Sequence, residues 1–316
     1  MAAVPARADD GDPEGYLAKL AAKIAARLDQ LAAARAPSPQ PPQPIAVKWG
    51  LAKLGSFELG APVVAVAAGD LDGDKKGELY VVTAREVVAF TLRGARLAEL
   101  GRAAFSGDLA VPAPRDPVGT AIVDGRELIA AASPWARELH VTLAKRALVA
   151  MPGDTGMLRC PGKRAQLVPG RNSFDDGSYA QRCRDAVDAQ GTPLKLVATL
   201  TGSKLAVDLA RCAPGAACQA AGSYSYNNVG LAYELADLDR DGTPEVIYAS
   251  AAAPGDADML KVHHLGGGEK KPVFAHEFNI GVAGIAAVDL DGDGTLELVA
   301  VARHAGATVI DVWRLN

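Results

Sequence analysis

Three short stretches of the chain carry carboxylates at a spacing that suits a hard divalent cation. They are Ala68-Gly-Asp-Leu-Asp-Gly-Asp-Lys-Lys-Gly-Glu-Leu79, Leu235-Ala-Asp-Leu-Asp-Arg-Asp-Gly-Thr-Pro-Glu-Val246 and Ala287-Val-Asp-Leu-Asp-Gly-Asp-Gly-Thr-Leu-Glu-Leu298, and they align without gaps. Calcium takes oxygen ligands at flexible geometry, and aspartates at positions 1, 3 and 5 of a tight loop converge on one point when the turn folds them inward. A backbone carbonyl at position 7 and a carboxylate at position 9 add to the set. The first loop offers Asp70, Asp72 and Asp74, the carbonyl of Lys76, and Glu78. The second offers Asp237, Asp239, Asp241, Thr243 and Glu245, and the third Asp289, Asp291, Asp293, Thr295 and Glu297. Two to three calcium ions are therefore predicted. The first loop is the weakest candidate, because Lys75 stands where the others have a glycine at position 6 and two lysines offset its charge.

These loops are not EF-hands. That motif needs a glutamate at position 12 between helices, whereas position 12 here holds Val81, Tyr248 and Ala300. The flanking residues are short runs of Val, Ile, Leu and Ala broken by Gly, Pro and Asp, which predict strands. Each unit is thus a strand, an acidic turn and a second strand. The step from Asp237 to Asp289 sets a period of about fifty residues, and Asp70 precedes Asp237 by a little over three such periods. Two degenerate repeats fill the gap: Gly119 to Ala132, and Gly191 to Leu200 followed by Lys204 to Asp208, both without the acidic loop. Five repeats of this length predict an all-β β-propeller of about five four-stranded blades, with six or seven blades left open and a solenoid as the alternative. The last repeat ends after three candidate strands, so Ile45 to Leu59 is predicted to supply its fourth.

The motif Gly69-Asp-Leu-Asp-Gly-Asp and its two successors, each followed by an acidic residue and an apolar strand, resembles the FG-GAP/VCBS repeat. Such repeats build the propeller of integrin alpha subunits and of many bacterial secreted proteins, where the loop holds calcium for structural purposes. The family commonly has aspartate where this chain has Glu78, Glu245 and Glu297, and the two middle repeats lack the carboxylates. The resemblance implies the fold, the calcium and an extracytoplasmic setting (periplasmic, secreted or cell-surface), without naming a ligand.

Composition narrows the remaining options. The chain has 316 residues, 49% hydrophobic, enough for a sizeable core, and a net charge of -4 that argues against a nucleic-acid partner. No run of about twenty apolar residues predicts a transmembrane helix. Ala6-Arg7-Ala8 ahead of Asp9-Asp10 has the form of a signal-cleavage site, so residues 1–12 are expected to be a flexible remnant of a longer precursor. Residues 13–36 carry Leu17, Leu20, Ile24, Leu28 and Leu31 on one helical stripe, and five prolines in and around 37–44 make a linker before the domain at 45–316. That helix is an expected site of self-association or docking.

Cys160, Cys183, Cys212 and Cys218 read as two disulfides, with three pairings open. Cys160 and Cys183 would staple a locally basic insertion at 152–184, expected as a tolerated surface insertion with recognition as the alternative. The five histidines lack catalytic zinc spacing and are expected at the surface; no nucleophile elbow or phosphate loop is present. The reading is a non-catalytic binding, adhesion or scaffold module with a protein or glycan ligand. The alternatives are a carbohydrate-binding or carbohydrate-active propeller, or an envelope assembly component acting through the helix.

Overall fold

The computed structural model describes residues 41–94, 96–105, 119–132, 138–151, 158–160, 163–164, 181–213, 217–252, 256–266, 271–304 and 307–315. The predicted helix at 13–36, the N-terminal remnant and most of the 152–184 insertion lie outside these residues. The described part contains strands and turns and no helix.

Strand β1 (Leu51–Leu59) leads into blade 1, formed by β2 (Val63–Gly69), β3 (Glu78–Thr83), β4 (Glu86–Arg93) and β5 (Arg96–Ala104). Blade 2 follows as β6 (Thr120–Asp124), β7 (Glu127–Ala131), β8 (Leu139–Ala144) and β9 (Ala147–Met151). A two-stranded hairpin of β10 (Leu158–Cys160) and β11 (Lys163–Arg164) precedes blade 3, made of β12 (Gln181–Val187), β13 (Pro193–Thr201), β14 (Lys204–Arg211) and β15 (Gln219–Tyr226). Blade 4 is β16 (Val229–Ala236), β17 (Glu245–Ser250), β18 (Asp258–His264) and β19 (Phe274–Phe278). Blade 5 is β20 (Val282–Val288), β21 (Glu297–His304) and β22 (Ala307–Leu315), completed on its outer edge by β1. The five antiparallel blades form a propeller, and the last is closed by the N-terminal strand as its missing fourth member.

Burial explains why the strands differ in sequence. A second strand such as β3 is covered by neighbouring blades on both faces, so it reads as a nearly continuous apolar run, and all six of its residues are buried. Outer strands meet solvent: β15 is mostly exposed and mixes polar with small residues, whereas β9 is exposed although all five of its residues are apolar. The cores lie between blades. One joins blades 5 and 1 around Phe90, Leu79, Val299 and Ile310. Others join blades 1 and 2 around Tyr80 and Leu128, blades 3 and 4 around Tyr226 and Tyr233, and blades 4 and 5 around Ile247 and Leu298. Strand β20 lies against both β2 and β16, which brings blades 4, 5 and 1 side by side. Those three blades carry the acidic loops, each as the connection from first to second strand.

Candidate metal centres

Each acidic loop is wound by its own carboxylates onto its own amides, in the same pattern three times. The position-1 aspartate accepts hydrogen bonds from downstream amides: Asp70 from Gly73 and Lys75, Asp237 from Gly242, and Asp289 from Gly292 and Gly294. The position-3 aspartates Asp72, Asp239 and Asp291 accept from the amides of Asp74, Asp241 and Asp293. Those position-5 aspartates accept in turn from the amides of Lys76, Thr243 and Thr295. Such turns are what short acidic side chains do readily, and here they point successive carboxylates toward one side of the loop. The residue at position 2 anchors the whole: Leu71, Leu238 and Leu290 are buried, and their amides donate to the closing glutamates Glu78, Glu245 and Glu297.

The closing glutamates are the buried wall of each site, with 3%, 0% and 0% of their surface exposed. A carboxylate taken out of water favours its neutral form unless positive charge is supplied. Burial accordingly pushes Glu78 up to about 7, despite a hydrogen bond from Tyr80 Oη at 2.7 Å. Burial also raises Glu245, against the pull of His264, whose Nδ1 lies 2.8 Å from Oε1. Glu297 is raised by burial too, and Arg314 counteracts this.

In the first loop Asp70, Asp72, Asp74 and Glu78 bring one oxygen each within 4.8 Å of the others. The second loop divides into Asp237, Asp239 and Asp241, and a group of Asp239, Glu245 and His264. The third gathers Asp289, Asp291 and Glu297, with Asp293 outside that group. The residues suit a hard cation on two further observations: closing carboxylates whose burial favours added positive charge, and Asp237 Oδ1, buried without a hydrogen-bond partner. The position-7 carbonyls of Lys76, Thr243 and Thr295 complete the set that would hold calcium, a charge that would relieve the crowded carboxylates and pin the turn.

The loops are stitched to their neighbours. Gly77 N–H donates to the Asp289 carbonyl at 2.7 Å, joining the first loop to the third. A Cβ on Gly77 would lie 2.0 Å from Val288 Cγ2, so only glycine permits this approach. Ile45 N–H donates to the Asp239 carbonyl at 2.8 Å.

Several partners escaped the sequence. His264 and Arg314 face Glu245 and Glu297 across the blade, in the pairs Glu245↔His264 and Glu297↔Arg314. Strand register places them, and no local motif marks them. The degenerate third blade keeps one aspartate of the loop: Asp188, buried, accepts from the amides of Gln190 and Thr192 and faces Arg211 Nε at 3.7 Å. The expectation of surface histidines fails for His140 and His263, both buried because each sits on the third strand of a blade among aromatic or carboxylate neighbours. Cys212 and Cys218 form a disulfide as expected, and Cys183 is disulfide-bonded as well; the side chain of Cys160 lies outside the described residues.

A family model for the FG-GAP-like repeat matches residues 237–300, from the start of the second acidic loop to beyond the third. No curated protein matches the chain. The match falls on two adjoining blades, and the loop of blade 1 repeats the hydrogen bonds of the blade 5 loop amide for amide. The chain is a β-propeller that carries an FG-GAP-like repeat over residues 237–300.

Proposed function

We propose that this propeller is a non-catalytic binding or scaffold module that works outside the cytoplasm, with calcium in its acidic loops holding blades 4, 5 and 1 and its outer loops offered to a protein or glycan partner. The observation that carries the reading is the threefold loop: carboxylates wound by their own amides over a closing glutamate that is buried in all three blades. Such a device stabilises a fold and leaves the surrounding surface free for recognition. The Cys212–Cys218 disulfide supports an oxidising compartment. Among the described residues no helix is long and apolar enough to cross a membrane.

The test is thermal unfolding in calcium, in magnesium and in chelator. Calcium at about a hundred times its dissociation constant adds about 2.7 kcal/mol per occupied site. The expected result is a calcium-specific rise that shrinks on Asp237→Ala. Identical melting in all three conditions would sink the calcium part of the reading.

A further inference from the structure

The third acidic loop looks best for calcium in sequence, with glycine at positions 4 and 6, yet it is the one the fold has already supplied with cations. Arg314 Nη2 lies 2.6 Å from Glu297 Oε1 and 3.4 Å from Asp293 Oδ2, and it also bonds Asp291 Oδ2. Its Nε donates to Glu297 Oε1 at 3.0 Å. One guanidinium thus gathers three of the loop's four carboxylates, leaving Asp289 to the amides of Gly292 and Gly294. Two more cationic side chains arrive from the flanking blades. The guanidinium of Arg240, in the second loop, covers Gly294, and the stem of Lys76, in the first, covers Gly292.

In the first loop the guanidinium of Arg126, from blade 2, likewise covers Gly73, but in neither of the other two loops does one guanidinium gather the carboxylates. The side chain across the blade from Glu245 is His264, an imidazole in contact with one carboxylate oxygen only. In blade 1 the register Leu79↔Phe90 carries Thr91 to the corresponding place, and Thr91, Asp72, Asp74 and Glu78 line an open cleft of about 200 Å³ together with Lys76, Arg93 and Arg146. Among the described residues no ion pair reaches the carboxylates of the first loop.

We propose that Arg314 is a built-in counter-ion that holds the third loop folded without metal and that calcium must displace, so that this loop binds calcium more weakly than the first two. The inference rests on the calcium reading above. It assigns to one arginine the choice between a metal-dependent and a metal-independent blade: affinity of an oxygen site follows the net charge of its ligands, and a resident guanidinium removes part of it.

The experiment compares the full chain with Arg314→Gln and Arg314→Lys by thermal unfolding in chelator and over a calcium titration, with bound calcium counted by titration calorimetry. Arg314→Gln is expected to melt lower than the parent in chelator. It should gain the larger rise in calcium and bind one more ion, or bind it at a concentration lower by about tenfold. Arg314→Lys should fall between, because it keeps the charge without the fork. Arg314→Met, which keeps the aliphatic stem, serves the same comparison where the glutamine variant does not fold. Equal calcium dependence in parent and Arg314→Gln, while Asp237→Asn still weakens the parent's response, would overturn the role of Arg314 and leave the calcium reading standing. No calcium response in the parent or any variant would overturn both.

Discussion

At position 6 of each loop the backbone turns into the left-handed region, and only the first loop does so without glycine. Lys75 has φ 72°, against 90° for Gly242 and 87° for Gly294. A side chain held there carries strain on the order of 1 kcal/mol. Lys75→Gly should therefore stabilise the protein by up to about 1 kcal/mol in urea unfolding, an unusual gain for a change to glycine. The reverse holds at Gly242, where a Cβ would stand 2.5 Å from the backbone N of Ala189 and 2.7 Å from the carbonyl carbon of Asp188. Gly242→Ala should cost about 2 kcal/mol or more, since backbone cannot yield as a flexible side chain does. His140 gives a pH signature. Burial works against its charged form, but Glu127 Oε1 at 2.7 Å from Nδ1 and Glu138 Oε2 at 3.5 Å from Nε2 prevail and raise its pKa above the ordinary value. A raised folded-state value means stability that is fully present below the unfolded pKa of about 6.5 and lost as pH rises through the folded one. The stability difference between the parent and His140→Gln should thus be larger at about pH 5 than at about pH 9. A difference that stays flat with pH would contradict the charged pair.

At the scale of the element, legibility depended on how local the determining contacts are. The acidic loops were readable because every carboxylate of a site falls within nine successive residues, and a repeated spacing is visible without a structure. Their cross-blade partners were not, because the hairpin between second and third strand varies: Glu297 and Arg314 are 17 apart in sequence and Glu245 and His264 are 19 apart. No fixed offset finds both, and only the register does. Blade 3 shows the same limit from the other side. Its shorter turn from Asp188 to Thr192 is also wound by an aspartate onto downstream amides, but with a single carboxylate, which no repeated spacing marks. That blade instead has a covalent tie between β14 and β15, where Cys212 and Cys218 close a loop six residues apart. Short loops restrict the unfolded chain modestly, so replacing both cysteines by serine should lower stability by about 2 kcal/mol. The loss should be independent of calcium, because the tie is remote in sequence from all three acidic loops. A loss that grew in calcium would instead couple blade 3 to the metal centres.

For the whole molecule the decisive step is closure, and it too was partly legible. Three strands in the last repeat and an unassigned apolar segment before the first made a shared blade the simplest way to hide two sheet edges. Strand β1 does pair with β22 along its length, from Leu51↔Leu315 to Leu59↔Thr308. Around that ladder Lys53 Nζ reaches Asp311 at 2.8 Å, Ser56 Oγ donates to the same carboxylate at 2.7 Å, and Phe57 packs on Phe90 at 4.7 Å between ring centres. The last contact crosses from blade 5 to blade 1, so β1 closes both a sheet and the core between two blades. The sequence showed which segment had to return; it did not show that the returning strand would also pack on the neighbouring blade, because that depends on side-chain direction in a paired strand. Two truncations separate these roles. A chain beginning at Pro41 keeps β1 and its whole ladder and is the reference for the second. A chain beginning at Gly60 leaves β22 with unpaired N–H and C=O groups beside Val309, Asp311 and Trp313, and uncovers Phe90. It should unfold at a markedly lower temperature and associate with itself as concentration rises, measured by melting curves alongside light scattering. Calcium should restore it only in part, since the lost β1 ladder lies on the outer edge of blade 5 while the Ile45 bond to the Asp239 carbonyl, lost with it, touches the second acidic loop. Equal melting of the two truncations would mean that the ring is held by its inter-blade cores alone and that the N-terminal strand is dispensable.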